Sequence, residues 1–139
     1  MMKIAHVRHS DSESQSVETH LTETAAIAKL LASKLDLNLS GELLGLMHDF
    51  GKYSLKFQKY IHDAAGLINP DFDEEESTPG GTKVDHSTAG AQWVYRRLQT
   101  LANKGLELCG QMLGLCIASY HGVGLICRLV CDPETMWIL

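Results

Sequence analysis

The chain is poor in proline, with 3 in 139 residues, and in aromatic side chains, at 6%. Scarce proline leaves room for uninterrupted helices. No apolar run approaches the roughly 20 residues that a membrane span requires, which excludes a transmembrane helix and argues against a membrane partner. Behind the basic residues of Met-Met-Lys-Ile-Ala-His-Val-Arg-His there is no apolar segment of signal-peptide length, so a cytoplasmic location is expected. There is no Cys-x-x-Cys pair: Cys109, Cys116, Cys127 and Cys131 are spaced by 7, 11 and 4 and are expected to be buried, reduced thiols. Positive charge is short as well, since 12 basic against 17 acidic residues leave a net charge of −5. Bulk electrostatics therefore cannot hold nucleic acid, and a phosphate ligand must be attracted locally. Finally, no Gly-x-x-x-x-Gly-Lys-Ser/Thr segment is present, so the chain is not itself a nucleotide-driven motor.

What is present suits one folded domain over 1–139. The length is near that of a single core, and 45% hydrophobic with 21% charged residues is ordinary for a globular chain. Apolar residues recur at spacings of three and four, which predicts an all-α bundle of five to six helices. The first covers Ser16–Leu37, with Ile27, Ala28, Leu31 and Leu35 as its inward stripe and His20 on the same face. A second starts at Ser40 as N-cap, carries Leu43, Leu44 and Met47, and closes at Gly51. The third spans Ser54 to about Ala65, with Leu55, Tyr60 and Ile61 inward. Residues 69–84, with Asp73-Glu74-Glu75-Glu76 and Pro79-Gly80-Gly81, are expected to be a mobile acidic loop between the third and fourth helices. Asp85 caps the fourth helix, with Ala89, Trp93, Val94 and Leu98 inward and an end near Lys104-Gly105. The fifth runs from Leu106 to Tyr120, and a short sixth is expected within 125–139.

Seven histidines are many for this length, and His20, His48, His86 and His121 fall at element ends or on apolar faces. Each alone reads as a hydrogen-bonded core histidine. Together they suggest a shared divalent cation, which satisfies several buried imidazoles at once. His6, His9 and His62 receive no role. The most specific pair is His48-Asp49, followed by Phe50-Gly51-Lys52. Adjacent helical residues point about 100° apart, so the pair can grip one cation only over the end of the helix. Asp49, with two oxygens, can bridge two ions. Lys52 comes round to the same side if the helical path persists, where its charge could neutralise a phosphate oxygen.

These residues resemble the signature of the HD-domain metal-dependent phosphohydrolases, and most closely the HD nuclease domain of the CRISPR-associated helicase-nuclease of type I systems. The matching stretches are Thr19-His20-Leu21, Gly45-Leu46-Met47-His48-Asp49-Phe50-Gly51-Lys52 with Phe57-Gln58-Lys59-Tyr60, Asp85-His86-Ser87-Thr88-Ala89-Gly90-Ala91, and Ala118-Ser119-Tyr120-His121-Gly122. The resemblance implies a compact helical HD domain. It implies His20, His48 and Asp49 as ligands of a first metal, with Asp49, His86 and His121 on a second. Asp49 and Lys52 are then the catalytic candidates, and Lys52, Ser87 and Tyr120 the substrate-binding ones. Ser87 reads equally as a helix-capping hydroxyl. Tyr120 stands where the family usually has the first histidine of His-His-Gly. Only 18 residues follow His121, offering Asp132 and Glu134 where the family has a distant aspartate, so 1–139 reads as a shortened domain.

Such a site supports hydrolysis of a phosphodiester with one or two divalent ions. Mixed imidazole and carboxylate ligands favour Mn, Ni, Co, Fe or Zn over Mg. The resemblance implies single-stranded DNA as substrate for endonuclease or exonuclease cutting in CRISPR interference. It also implies a helicase domain or subunit as partner and, through it, the CRISPR RNA-guided surveillance complex. Arg96, Arg97, Lys52 and Lys56 are the local attractors for the strand. Two other classes stay open: a metal-binding docking module without turnover, and an HD phosphohydrolase acting on a nucleotide.

Overall fold

Ser16 starts the first helix: its hydroxyl oxygen accepts the Thr19 N–H at 2.9 Å, satisfying one of the donors a helix leaves open at its beginning. In the computed structural model, which describes residues 2–8, 10–66 and 84–120, this helix, α1 (Val17–Ala32), follows directly on a small antiparallel hairpin. The hairpin strands are β1 (Ile4–Val7) and β2 (Ser14–Ser16). A 3₁₀ turn at Ser33–Leu35 ends at Asp36, whose φ of 58° turns the chain back into α2 (Asn38–Met47). A second 3₁₀ turn, Phe50–Tyr53, leads into α3 (Leu55–Ala65), capped by the Ser54 side chain and ended by Gly66 at φ 66°. Then come α4 (Thr88–Gln99) and α5 (Lys104–Ser119). The expected all-α architecture is present, with five helices among the described residues. No helix among them is long and apolar enough to cross a membrane.

The hairpin is the element that the spacing of apolar residues did not predict. β1 is buried on both faces, so Ile4, Ala5, His6 and Val7 show no alternation of apolar with polar residues. The register, Ile4 opposite Ser16 and His6 opposite Gln15, contains an irregularity between Ile4 and His6, the kind of bulge that re-aims side chains. Ile4 and Val7 pack with Phe57, Ile61 and Val84, while Ala5 packs with Val17 and Leu21. A third cluster, Ala91, Val94 and Ile117 with Leu43, Leu44, Met47, Leu98 and Leu113, joins α2, α4 and α5.

Several inward positions are corrected. Ile27, Leu31 and Leu35 are exposed, and the buried face of α1 is instead Val17, Leu21 and Ala25. The reason is close packing between small residues. A Cβ on Gly45 would lie 2.4 Å from the Cα of Ala25, and one on Gly41 would lie 2.5 Å from the carbonyl oxygen of Ala28. Backbone meets backbone there, and the bulky side chains of α1 are left outside. The same holds for α4, which buries Gly90, Ala91 and Val94 while Ala89 and Trp93 face solvent. In α3 Leu55 is exposed and Phe57 takes the interior. α2 starts at Asn38, with Ser40 inside its first turn. Cys109 and Cys116 are exposed on α5; Cys127 and Cys131 lie outside the described residues. So do residues 69–83 of the expected acidic loop and the expected sixth helix, whereas Val84 is described and buried.

α4 stops at Gln99, earlier than expected, and its beginning is organised by Asp85. The Asp85 carboxylate accepts the Ser87 and Thr88 N–H groups at 3.2 Å each and the Thr88 hydroxyl. These bonds hold its pKa below the usual aspartate value, the Thr88 hydroxyl contributing most. Asp85→Ala is expected to cost about 1 kcal/mol in urea unfolding at neutral pH. Because the folded-state pKa is depressed, that contribution is present above the ordinary aspartate pKa and is lost as pH falls through the folded value. The difference between variant and wild type should therefore shrink on acidification.

Candidate metal centre

The site is made where α2 gives up its regular path. His48 closes the helix, its N–H bonded to Leu44 O at 3.0 Å, and Asp49 departs to φ −123°, ψ 23° before the 3₁₀ turn begins. The α-helical path does not persist to Lys52, as the expectation for that residue assumed. The tighter turn achieves the result another way, because a 3₁₀ path brings residues three apart onto one side. Lys52 Nζ thereby lies 2.9 Å from Asp49 Oδ2.

Asp49 is 2% exposed and is the point on which the other groups converge. His20, from α1, places Nε2 at 3.0 Å from Asp49 Oδ2 and 3.1 Å from His48 Nε2. His48 Nε2 is itself 3.3 Å from Oδ2. His86, just before α4, puts Nε2 at 3.6 Å from the other oxygen, Oδ1. His20, His48, Asp49 and His86 are thus brought together from three separate parts of the chain. His121 lies outside the described residues, as do Asp132 and Glu134.

The ring orientations are set from behind. His48 Nδ1 is 2.8 Å from Gly45 O, and His86 Nδ1 is 2.9 Å from Val84 O. A carbonyl oxygen can only accept, so each Nδ1 carries the proton, and in the neutral rings each Nε2 presents a lone pair toward Asp49. This backbone support for the far nitrogen is the arrangement that orients metal-ligating histidines. Two imidazole nitrogens 3.1 Å apart beside a carboxylate form an electron-rich pocket, and a divalent cation fits it. A transition-metal ion suits this nitrogen and oxygen set better than Mg does.

Gly51 and Gly90 allow the elements to meet. Gly51 N donates to His86 O at 2.9 Å, and a Cβ on Gly51 would stand 2.3 Å from that oxygen. Gly90 brings α4 against the end of α2, where a Cβ would lie 1.9 Å from Met47 O. Gly51 therefore does not close α2, as its place in the sequence suggested; it permits His86 to reach Asp49. Phe57 walls the site, its ring edge-on to His86 at 5.2 Å and beneath Lys52 Nζ at 5.5 Å.

Sequence reasoning assigned nothing to His6, yet the structure places it in the site. Its Nε2 is 2.9 Å from Lys52 Nζ, its ring lies edge-on to His20 at 4.6 Å, and it forms with His20 and Asp49 a group able to hold a metal. Its setting in an apolar run was the available signal; its partner is 46 residues away. Gln58 is the other missed residue. Its amide donates to Ile4 O at 2.8 Å and Lys52 O at 2.7 Å, and its oxygen accepts the Ile4 N–H at 2.9 Å, so it ties the hairpin to the 3₁₀ turn.

Lys52 is 1% exposed. Burial pushes its amine below the usual lysine pKa, and the neighbouring Asp49 carboxylate works in the opposite direction. Ser87 is buried, and its hydroxyl donates to Asp85 at 3.3 Å. Tyr120 is half exposed, its ring edge-on to His48 at 5.2 Å. Arg96 and Arg97 near the end of α4 and Lys56 in the first turn of α3 are exposed. His62 is buried on α3.

A family model described as Cas3, HD domain matches residues 5–126. No curated protein and no solved structure matches the chain. Two substitutions test how the centre is built. Gly51→Ala should separate the 3₁₀ turn from His86 and be read as lost thermal stability together with weakened Mn(II) binding. Gln58→Leu, which strands three buried backbone groups, should cost at least about 1–3 kcal/mol in urea unfolding.

Proposed function

The chain belongs to the family of Cas3 HD domains, which are metal-dependent nuclease domains, and we propose that it cuts single-stranded DNA exposed by a helicase partner during CRISPR interference. The observation that carries this is the convergence of His20, His48 and His86 on the two oxygens of Asp49, with two of the rings held by backbone carbonyls. His20, His48 and Asp49 would hold one divalent ion; Asp49 and His86, with His121, would hold a second. A bound divalent ion supplies Lewis-acid polarisation of the phosphodiester and lowers the pKa of an attacking water.

The chain's own residues prepare that chemistry. Gly45 O and Val84 O hold His48 and His86 in one tautomer, so neither of these two imidazoles has to rotate or exchange a proton before a ligand binds. Asp49 presents both oxygens, one toward His20 and His48 and one toward His86. Tyr120, half exposed beside His48, offers an aromatic face on which a base can stack. Arg96, Arg97 and Lys56 are exposed cations for the phosphate backbone. A net charge of −5 leaves little non-specific attraction, which suits a domain that receives its strand from a partner.

Elemental analysis after loading with Mn or Ni, combined with an assay on circular single-stranded DNA, tests this. The wild-type chain should hold one to two equivalents of metal and open the circle. Asp49→Ala should lose metal and cutting together, whereas His62→Asn, outside the centre, should keep both. Metal bound without cleavage by the wild type would favour a docking module. Turnover of nucleotides without strand cleavage would favour a nucleotide phosphohydrolase.

A further inference from the structure

A carboxylate as enclosed as Asp49 needs a positive partner whether or not a metal is present, because an uncompensated buried charge is strongly destabilising. Among the described residues, the lysine or arginine within bonding distance is Lys52, with Nζ at 2.9 Å from Oδ2. The other neighbours of Nζ come from β1: His6 Nε2 at 2.9 Å and Ala5 O at 3.4 Å. Three neighbours match the three protons of an ammonium, and two of them, the carboxylate and the carbonyl, can only accept. Oδ2 is also the oxygen approached by His20 and His48. The Lys52 charge therefore stands at the point where the candidate metal donors meet.

We propose that the Lys52 ammonium, seated on His6 and Ala5 of β1, is a stand-in cation that compensates Asp49 in the metal-free protein and opposes the metal that replaces it. The proposal rests on the metal-centre reading above and deepens it. It differs from a phosphate-binding role for Lys52, because at 1% exposure with its donors engaged the side chain is turned inward. Two functions follow from one contact. Asp49 is held in place before metal arrives, so the site is preorganised. Like charges a few ångströms apart in a dry pocket repel, so metal affinity is held below what the donor set alone would give. His6 acts through Lys52 as a positioning residue and not as a ligand of the metal, although it stands within reach of His20 and Asp49; weaker Mn(II) binding by His6→Leu would overturn that role.

Mn(II) titration by calorimetry, paired with thermal melting with and without Mn(II), tests this on the wild type, Lys52→Met, His6→Leu and His6→Gln. Lys52→Met should melt lower without metal yet bind Mn(II) about tenfold tighter, so that saturating Mn(II) raises its Tm by more than it raises that of the wild type. His6→Leu, which removes one seat of the ammonium, should change both quantities in the same directions by less. His6→Gln keeps an oxygen able to accept from Nζ and should return toward wild type. Unchanged or weaker Mn(II) binding by Lys52→Met overturns the proposal and leaves the metal centre standing. A wild-type chain that binds no Mn(II) overturns the metal centre itself. If Lys52→Met does not fold alone, refolding on addition of Mn(II), seen as recovered helical circular dichroism, supports the proposal, and failure to refold with Mn(II) overturns it.

Discussion

The Asp49 carboxylate is buried, and the elements around it are arranged to meet it. A carboxylate withdrawn from water must be met by donors or cations on every side. Here the groups that face it come from separate elements: His20 from α1 and Lys52 from the 3₁₀ turn can donate to it, while His48 from the end of α2 and His86 from the approach to α4 turn ring nitrogens toward it. Each can be placed only if its element is placed. The fold can therefore be seen as a set of anchors for one acidic side chain, with the buried apolar residues divided among three small clusters.

Close backbone approach is what makes that convergence possible. Gly45 against Ala25, Gly51 against His86 and Gly90 against Met47 each leave no space for a Cβ. Helices packed through glycine and alanine approach more closely than helices separated by leucines. Side chains as short as aspartate can then bridge between elements. The cost is that the apolar bulk of α1 lies outside, at Ile27, Leu30, Leu31 and Leu35. The hairpin completes the enclosure: Gln58 fixes β1 to the turn that carries Lys52, and β1 in turn supplies two of the three neighbours of the Lys52 amine.

Helix positions were legible where local chemistry sets them. Ser54 and Gly66 bound α3 as their residue types suggest, and Asp85 organises the start of α4. Inward faces were less legible, since a search for bulky apolar stripes favours leucine, whereas the buried contacts of α1 and α4 run through alanine, glycine and valine. The hairpin was not legible at all, because a short strand buried on both faces lacks the alternation that marks a strand. His6 was lost with it, being meaningful only beside a lysine distant in sequence.

Apolar spacing and scarce proline were enough to point to the helical class, and residue type marked His20, His48-Asp49, Lys52, His86 and His121 as a set, because that chemistry needs those residues. Tertiary structure alone decided how they combine: which Asp49 oxygen faces which ring, that Lys52 turns inward, and that β1 furnishes its seat. The physical reason is that residue type and local spacing specify donors, caps and turns, whereas the distance between an imidazole on α1 and a carboxylate after α2 depends on how closely two helices pack. That closeness was set by the absence of side chains at a few glycines, which becomes visible only once the helices are seen against one another.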